Sequence, residues 1–509
     1  MIQTAWALLP PVIAIVLALI TKEVYVSLFL GILSGALLYS GFAIVPALET
    51  TFNVMADRVS GNLNIIVFLV LLGMMVALMN ASGASRAYGE WASRSIKTKR
   101  GALFATMGLG ALIFVDDYFN CLTVGTVMRP VTDRYHISRT KLAYIIDATA
   151  APICIIAPIS SWAAAVGSSL PEGTSIDGFT LFLQTIPYNY YALLTIAMVI
   201  IMIALNFDFG AMKKAAVEAP SEALLEEETD EQAILAAARR ASGARPGQVK
   251  DLLVPILALI GACIFFMLYT GGITEGANII DAFANCDSAL SLVLGSLVAI
   301  LVIFFLYIPR KILTPREFAA SLTDGFKAMV PAILILTFAW TLSGICSSEY
   351  LDAGGFVSQV VENNELANAI MPPAFFAIAL GLAFATGTSW GTFGILIPIA
   401  IAIFEPTGGT IMVLTVAAIL AGAVCGDHVS PISDTTILAS TGADCNHLEH
   451  VSTQLPYAML VALCSVIAYI FAGAADNGWI GLGIGFVLLG IMLVVLYRKN
   501  RPAAVRQRA

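Results

Sequence analysis

Thirteen apolar runs dominate this sequence, many of them about 17 to 25 residues long, enough for a helix to cross a ~30 Å hydrocarbon layer at ~1.5 Å rise per residue. They fall near 6–21, 24–40, 62–80, 102–128, 143–168, 185–206, 252–270, 288–308, 328–346, 371–404, 412–440, 455–474 and 480–497. Lipid offers no water to satisfy stray backbone groups, so such runs must be helical. Composition agrees: 59% of residues are hydrophobic and 12% charged, against roughly 45–50% and about 25% in soluble domains. A formal charge of −8 without a basic stripe excludes nucleic acid as a partner. The expected fold class is therefore an all-α polytopic membrane protein in a lipid bilayer. Eight scattered cysteines form no C-x-x-C pair and read as small buried hydrophobes. The N-terminus lacks the positive region of a cleaved signal, so Trp6 to Ile20 reads as a retained first span.

Lys and Arg favour cytoplasmic loops, which places the clusters at 86–100, 129–141, 213–250, 310–327 and 498–508 in the cytoplasm. The run 102–128 then has basic loops at both ends. A re-entrant hairpin resolves this and puts Asp116, Asp117, Tyr118, Phe119 and Asn120 at its tip. The segments flanking 371–404 carry no Lys or Arg, so this run reads as a second hairpin entering from outside, with Thr386, Gly387, Thr388, Ser389, Trp390, Gly391 and Thr392 at its tip. On this scheme the N-terminus is outside, the C-terminus is cytoplasmic, and only Arg58 of the 26 basic residues lies outside.

The two halves resemble each other. Ala157-Pro158-Ile159-Ser160-Ser161 matches Ser430-Pro431-Ile432-Ser433-Asp434 at an offset of 273 positions. The charge assignment gives the halves opposite orientation. The expected architecture is thus a pair of inverted-topology repeats, each of five transmembrane helices plus one re-entrant hairpin, with one extra C-terminal helix. The first repeat covers 1–206, a cytoplasmic connector 207–251, the second repeat 252–474, and the extra helix with its basic tail 475–509. Secondary transporters are built this way, with sites near the midplane where broken helices meet.

A carboxylate inside a membrane is costly and marks a functional site by default. Asp116, Asp117, Asp147, Asp427 and Asp434 qualify. No Lys or Arg lies between Ala328 and Tyr497, so a cation from solution or a proton is the natural partner of Asp427 and Asp434. Small hard cations want several oxygens. The stretch from Asp427 to Thr436 offers two carboxylates, four hydroxyls and Pro431, which frees a backbone carbonyl. A spacing of seven puts Asp427 and Asp434 on one face if helix persists through Pro431. Ser160 and Ser161, and Thr386, Thr388, Ser389 and Thr392, add oxygens. Single Ser or Thr hydroxyls in membrane helices often bond their own backbone instead. Two readings stand for Asp147: a functional carboxylate, or a partner of Lys141. Two stand for His428: a pH sensor, or a packing histidine hydrogen-bonded to an adjacent segment. His447, Glu449 and His450 fall in an expected loop and lack a fourth metal ligand.

The stretch Gly426-Asp427-His428-Val429-Ser430-Pro431-Ile432-Ser433-Asp434-Thr435-Thr436, followed by Ser440-Thr441-Gly442-Ala443 and Thr453-Gln454-Leu455-Pro456-Tyr457-Ala458, resembles the signature of the NhaC family of bacterial sodium/proton antiporters, within the ion transporter superfamily. Asp116 to Asn120 and Ala157 to Ser160 resemble family landmarks in the first half. The resemblance implies an elevator-like carrier, a homodimer in the bacterial cytoplasmic membrane, that exchanges Na+ for H+ and needs no cofactor. With the residue reading, it gives a candidate binding set of Asp116, Asp117, Asn120, Asp147, Ser160, Thr386, Thr388, Ser389, Asp427, Ser430, Ser433, Asp434 and Thr435, with Na+ at Asp427 and Asp434 and protons competing for the same oxygens. Ser161-Trp162 stands where the second half has Asp434-Thr435. The resemblance implies no single substrate, since relatives couple Na+ or H+ to malate and lactate or to amino acids. A carrier of an organic acid or amino acid is the alternative, weakened by the lack of an Arg at the expected site depth. An intramembrane aspartyl protease fits poorly, because Ile146-Asp147 and Val424-Cys425-Gly426-Asp427 miss its pattern at two positions. A channel is a further rival, although paired hairpins suit alternating access better.

Overall fold

The computed structural model describes residues 2–500 apart from 3, 22, 171–173, 175–176, 216–246, 280–281, 283–285, 348, 354–355, 357–364, 405–408 and 432. Among the described residues there is no strand. The first half contains α1 (Leu9–Thr21), α2 (Val24–Tyr39), α3 (Ile44–Gly61), α4 (Leu63–Ser82), α5 (Ala84–Ser95), α6 (Lys99–Leu112), α7 (Asp117–Arg134), α8 (Arg139–Thr149), α9 (Ala151–Cys154), α10 (Ser161–Gly167), α11 (Gly178–Thr185), α12 (Tyr190–Leu205) and α13 (Gly210–Ala215). The second contains α14 (Val249–Thr270), α15 (Ser288–Tyr307), α16 (Pro315–Cys346), α17 (Glu365–Thr386), α18 (Ser389–Phe404), α19 (Thr410–Val429), α20 (Asp434–Ala443), α21 (His447–Ala474) and α22 (Gly478–Asn500). Among the described residues eight helices are long and apolar enough to cross a membrane. Four shorter apolar helical stretches, Ala5–Ala14, Tyr25–Tyr39, Ile370–Thr386 and Ser389–Phe404, accompany them. This is a multi-pass, all-helical membrane protein.

Burial sorts the helices. In α19, 94% of the apolar window is buried inside the protein, against 22% in α22. The first is enclosed by protein on every side, as an all-round apolar helix should be, and the second is peripheral. Around α19 stand α17, α18, α21 and α12, while α16 packs on α2, α3, α4 and α18.

Several boundaries differ from the sequence expectation. The run 143–168 is three short helices, α8, α9 and α10, rather than one span. The run 412–440 divides at Pro431: α19 ends at Val429, and Ser430 is extended (φ −81°, ψ 127°) because the following proline ring excludes helical backbone. Helix does not persist through Pro431, so the one-face argument for Asp427 and Asp434 fails. The expected loop around 447–450 is the first turn of α21, capped by Asn446, whose side chain accepts from the Glu449 amide. Helix α3 was not anticipated, because Glu49, Asp57 and Arg58 interrupt its apolar character. Its buried residues Ala47, Thr51, Val54 and Arg58 nonetheless follow a helical spacing. Most of the connector, 216–246, lies outside the described residues, and Val249 to Asp251 already belong to α14.

Candidate functional site

Two helical hairpins carry the site. In the first, α7 folds back along α6. At the base the Tyr135 hydroxyl donates to the Ile96 carbonyl at 2.6 Å. Near the tip, Asn120 Nδ2 lies 2.7, 3.0 and 3.2 Å from the carbonyls of Gly110, Ile113 and Thr149. Gly110 permits this approach, since a Cβ there would sit 2.5 Å from Thr149 Oγ1. The Asn120 amide therefore closes the hairpin and fastens it to α8.

In the second hairpin, α17 and α19 run side by side in one direction. Gly422 packs on the Phe376 carbonyl and Gly426 on that of Leu380, where a Cβ would come within 2.3 Å of either oxygen. Ser430 Oγ donates to the Phe384 carbonyl at 2.7 Å. Between them the chain reverses at Gly387, whose φ of +70° favours glycine, and α18 returns. This turn brings Ser389 to α19, where its hydroxyl donates to Asp427 Oδ2 at 2.8 Å.

The tips converge. The Ser161 amide donates to the Val115 carbonyl at 2.9 Å, and Trp162 lies 6.1 Å from Trp390 and 5.5 Å from Phe393 between ring centroids. Asp117 sits among them with Asp116, Asp427 and the Trp162 indole as the side chains acting on it. Both of its carboxylate oxygens are buried with no hydrogen-bond partner among the described residues, as are Ser161 Oγ and Thr388 Oγ1. An unpaired buried carboxylate is expensive. Such a cluster of oxygens can lower that cost by taking up a cation or a proton. Asp116 is also buried and, with Tyr118, Met329, Pro331, Trp390 and Ile437, lines a cavity of about 290 Å³.

Asp147 belongs to a second cluster. Its Oδ2 accepts from Gln454 Nε2 at 2.7 Å, Thr436 Oγ1 at 3.1 Å and His450 Nε2 at 3.3 Å. Lys141 pairs instead with Asp208 at 2.7 Å, which removes the reading of Asp147 as its partner. His428 donates from Nε2 to the Asp147 carbonyl at 3.0 Å and is bonded to the Tyr191 hydroxyl at 3.1 Å, so both ring nitrogens are engaged, as the packing reading expects.

The remaining candidates are mostly architectural. Ser160 and Ser433 are N-caps of α10 and α20, accepting from the amides of Ala163 and Thr436. Thr435 Oγ1 is 3.1 Å from Ser433 Oγ, and Thr386 donates to its own helix at Leu382. Asp434 opens α20, but its side chain lies outside the described set. Sequence reasoning missed Trp162, Tyr191, His450 and Gln454 as site residues, and counted Thr436 only among the hydroxyls of the 427–436 stretch. For His450 a signal existed: Asn446-His447-Leu448-Glu449 has the cap-x-x-Glu spacing of a helix start.

The fold is that of a multi-pass membrane protein, and comparison with known proteins gives the class, an antiporter. The family model described as the Na+/H+ antiporter family matches residues 161–474. An uncharacterised protein of Haemophilus influenzae is 39% identical over 517 residues, 97% of this chain and 95% of its own. The chain belongs to the Na+/H+ antiporter family. A malate-2H+/Na+-lactate antiporter of Bacillus subtilis is 32% identical over 31% of this chain and 34% of its own. An arginine/ornithine antiporter of Halobacterium salinarum is 36% identical over 31% and 33%. Among solved structures, the YdaH transporter of Alcanivorax borkumensis aligns with a TM-score of 0.46 at 13% identity, covering 84% of this chain and 88% of that one.

Proposed function

We propose that this protein exchanges Na+ for H+ across the bacterial cytoplasmic membrane. The observation that carries the reading is the unpartnered buried carboxylate of Asp117 beside the Ser389–Asp427 pair, with no Lys or Arg among the groups acting on Asp117. Na+ would be held by Asp117, Asp427 and Ser389, with Asp116 and Asp434 as further candidates. Uptake of a cation or a proton lowers the negative charge of the buried carboxylates and allows them to cross; with neither bound they are held back by the cost of moving bare charge through a dry interior. The halves act as inverted repeats in an elevator-like movement. This is supported by the recurrence of a Ser N-cap and a helix start at Ser161 and Asp434, 273 positions apart. The Lys and Arg distribution supports an outside N-terminus and a cytoplasmic C-terminus, and the functional unit is a homodimer.

A second reading, exchange of an amino or organic acid, is favoured by the cavity of about 290 Å³ beside Asp116, which is roomier than a bare ion needs. The names of the Bacillus and Halobacterium relatives point the same way. Purified protein in liposomes with an internal pH dye tests both. Saturable collapse of a pH gradient by Na+ but not K+, absent in Asp427→Asn, supports exchange. If Na+ moves no protons, the exchange reading fails and labelled amino and organic acids become the substrates to test.

A further inference from the structure

The cluster around Asp147 is not used by the cation site described above, and its hydrogen bonds assign roles to its two histidines. A carboxylate only accepts, so His450 must present Nε2–H to Asp147 Oδ2. The other ring nitrogen of His450, Nδ1, is buried with no hydrogen-bond partner among the described residues, and Asp147 Oδ1 likewise has no hydrogen bond, its nearest basic group being His428 Nε2 at 3.8 Å. His428 differs. Its Nε2–H is committed to the Asp147 carbonyl and its Nδ1 to the Tyr191 hydroxyl. Hence His450 can take a proton at Nδ1 without breaking any bond, whereas a proton on His428 Nδ1 requires the Tyr191 hydroxyl to turn from donor to acceptor.

The titratable groups facing this pair are His428 from α19, Cys121 from α7, Tyr144 from α8 and Tyr191 from α12. None is a Lys or Arg, and Lys141 of α8 is bound to Asp208. Thr436 links the cluster to the cation site: its hydroxyl lies 3.1 Å from Asp147 Oδ2 and 3.4 Å from the Asp427 carbonyl oxygen.

We propose that Asp147 and His450 form a proton-carrying site distinct from the cation site at Asp117 and Asp427, with Thr436 between them. A hydronium ion gives up one proton to His450 Nδ1, so that an O–H bond breaks, an N–H bond forms and neutral water leaves, and the imidazolium charge is balanced by the Asp147 carboxylate; release to water reverses this. Na+ and H+ then ride on different carboxylates rather than competing for the same oxygens. A positive charge at one site opposes occupation of the other through a medium that screens poorly, and this opposition makes the movement an exchange. Gln454, whose amide reaches both Asp147 Oδ2 and the His428 carbonyl, acts as a positioning residue.

The inference rests on the exchange reading, so its test separates the two. The full chain in liposomes is assayed for labelled Na+ counterflow at equal pH, which needs no proton, and for Na+ uptake driven by a pH gradient. His450→Gln and, independently, Asp147→Asn should lower the gradient-driven flux by roughly tenfold or more while counterflow falls far less. Equal loss of both fluxes, or retention of both, overturns the separate site. If the parent moves no Na+ in either assay, the exchange reading has failed. The proton site is then decided by acid–base titration of the purified protein between about pH 5 and 8. Parent protein binding one proton more than His450→Gln supports the site, and equal uptake overturns it.

Discussion

Ser389, two residues past the turn of the second hairpin, donates a 2.8 Å hydrogen bond to Asp427 on α19, the most enclosed of the eight candidate membrane-spanning helices among the described residues. The same hydroxyl lies 3.2 Å from the Ala423 carbonyl. A hairpin tip is thereby tied to the carboxylate that is 4% exposed at the end of α19, and movement of the tip must change what that carboxylate touches.

Removing the tie should weaken cation binding without destroying the site. Hydrogen bonds to charged groups contribute about 1.5–3 kcal/mol, so Ser389→Ala should raise the apparent Na+ constant roughly tenfold or more. Asp427→Asn should abolish Na+ flux altogether. Dose dependence of gradient collapse in liposomes measures both; an unchanged constant in Ser389→Ala would remove Ser389 from the site.

Asp117 presents an orphaned carboxylate, which lowers stability in the absence of a cation. Asp117→Asn should therefore unfold at a higher temperature than the parent in Na+-free detergent. It should also lose the stabilisation that Na+ confers on the parent by preferential binding to the folded state. Thermal unfolding with and without Na+ reads both. A variant that Na+ still stabilises as strongly would place the ion elsewhere.

Helices α7 and α20 cross at glycine. A Cβ on Gly125 would stand 2.5 Å from the Gly442 carbonyl carbon, so the helices approach at backbone contact, as small residues allow in membranes. Gly125→Val must push α20 away from the first hairpin and with it Thr436 from Asp147. Loss of monodisperse protein in size-exclusion chromatography is the expected outcome, and wild-type behaviour would refute so close a crossing.

Asn120 should prove structural. Asn120→Ala leaves the carbonyls of Gly110, Ile113 and Thr149 without its amide, at a cost of about 1–3 kcal/mol for each acceptor stranded. The expectation is a clear fall in melting temperature with the Na+ constant of the surviving protein unchanged. A changed constant at unchanged stability would make Asn120 a ligand.

Much of this arrangement was legible locally. Hydropathy marked the helices, since burial in lipid or protein demands apolar residues at every turn. Gly387 falls at the expected tip of the second hairpin, because a positive φ acts on the immediate backbone, whereas the break at Pro431 divides a run expected to be continuous. Basic loops at both ends of 102–128 marked the first hairpin, and the scarcity of charge made Asp116, Asp117, Asp147 and Asp427 conspicuous.

What each carboxylate touches was decided only in three dimensions. Asp147 meets His450 from 303 positions away, and Asp208 takes the Lys141 that sequence proximity offers to Asp147. Asp117 meets Asp116, Asp427 and the Trp162 indole, with no Lys or Arg among the groups acting on it. Apolar helices carry little information about which neighbour they choose or in what register. Close glycine contacts and hairpin straps fix the register, and these depend on residues far apart in the chain. The sequence alone thus determined that this is a helical membrane protein with carboxylates inside its apolar runs, and the packing of its helices decided which side chains surround each of them.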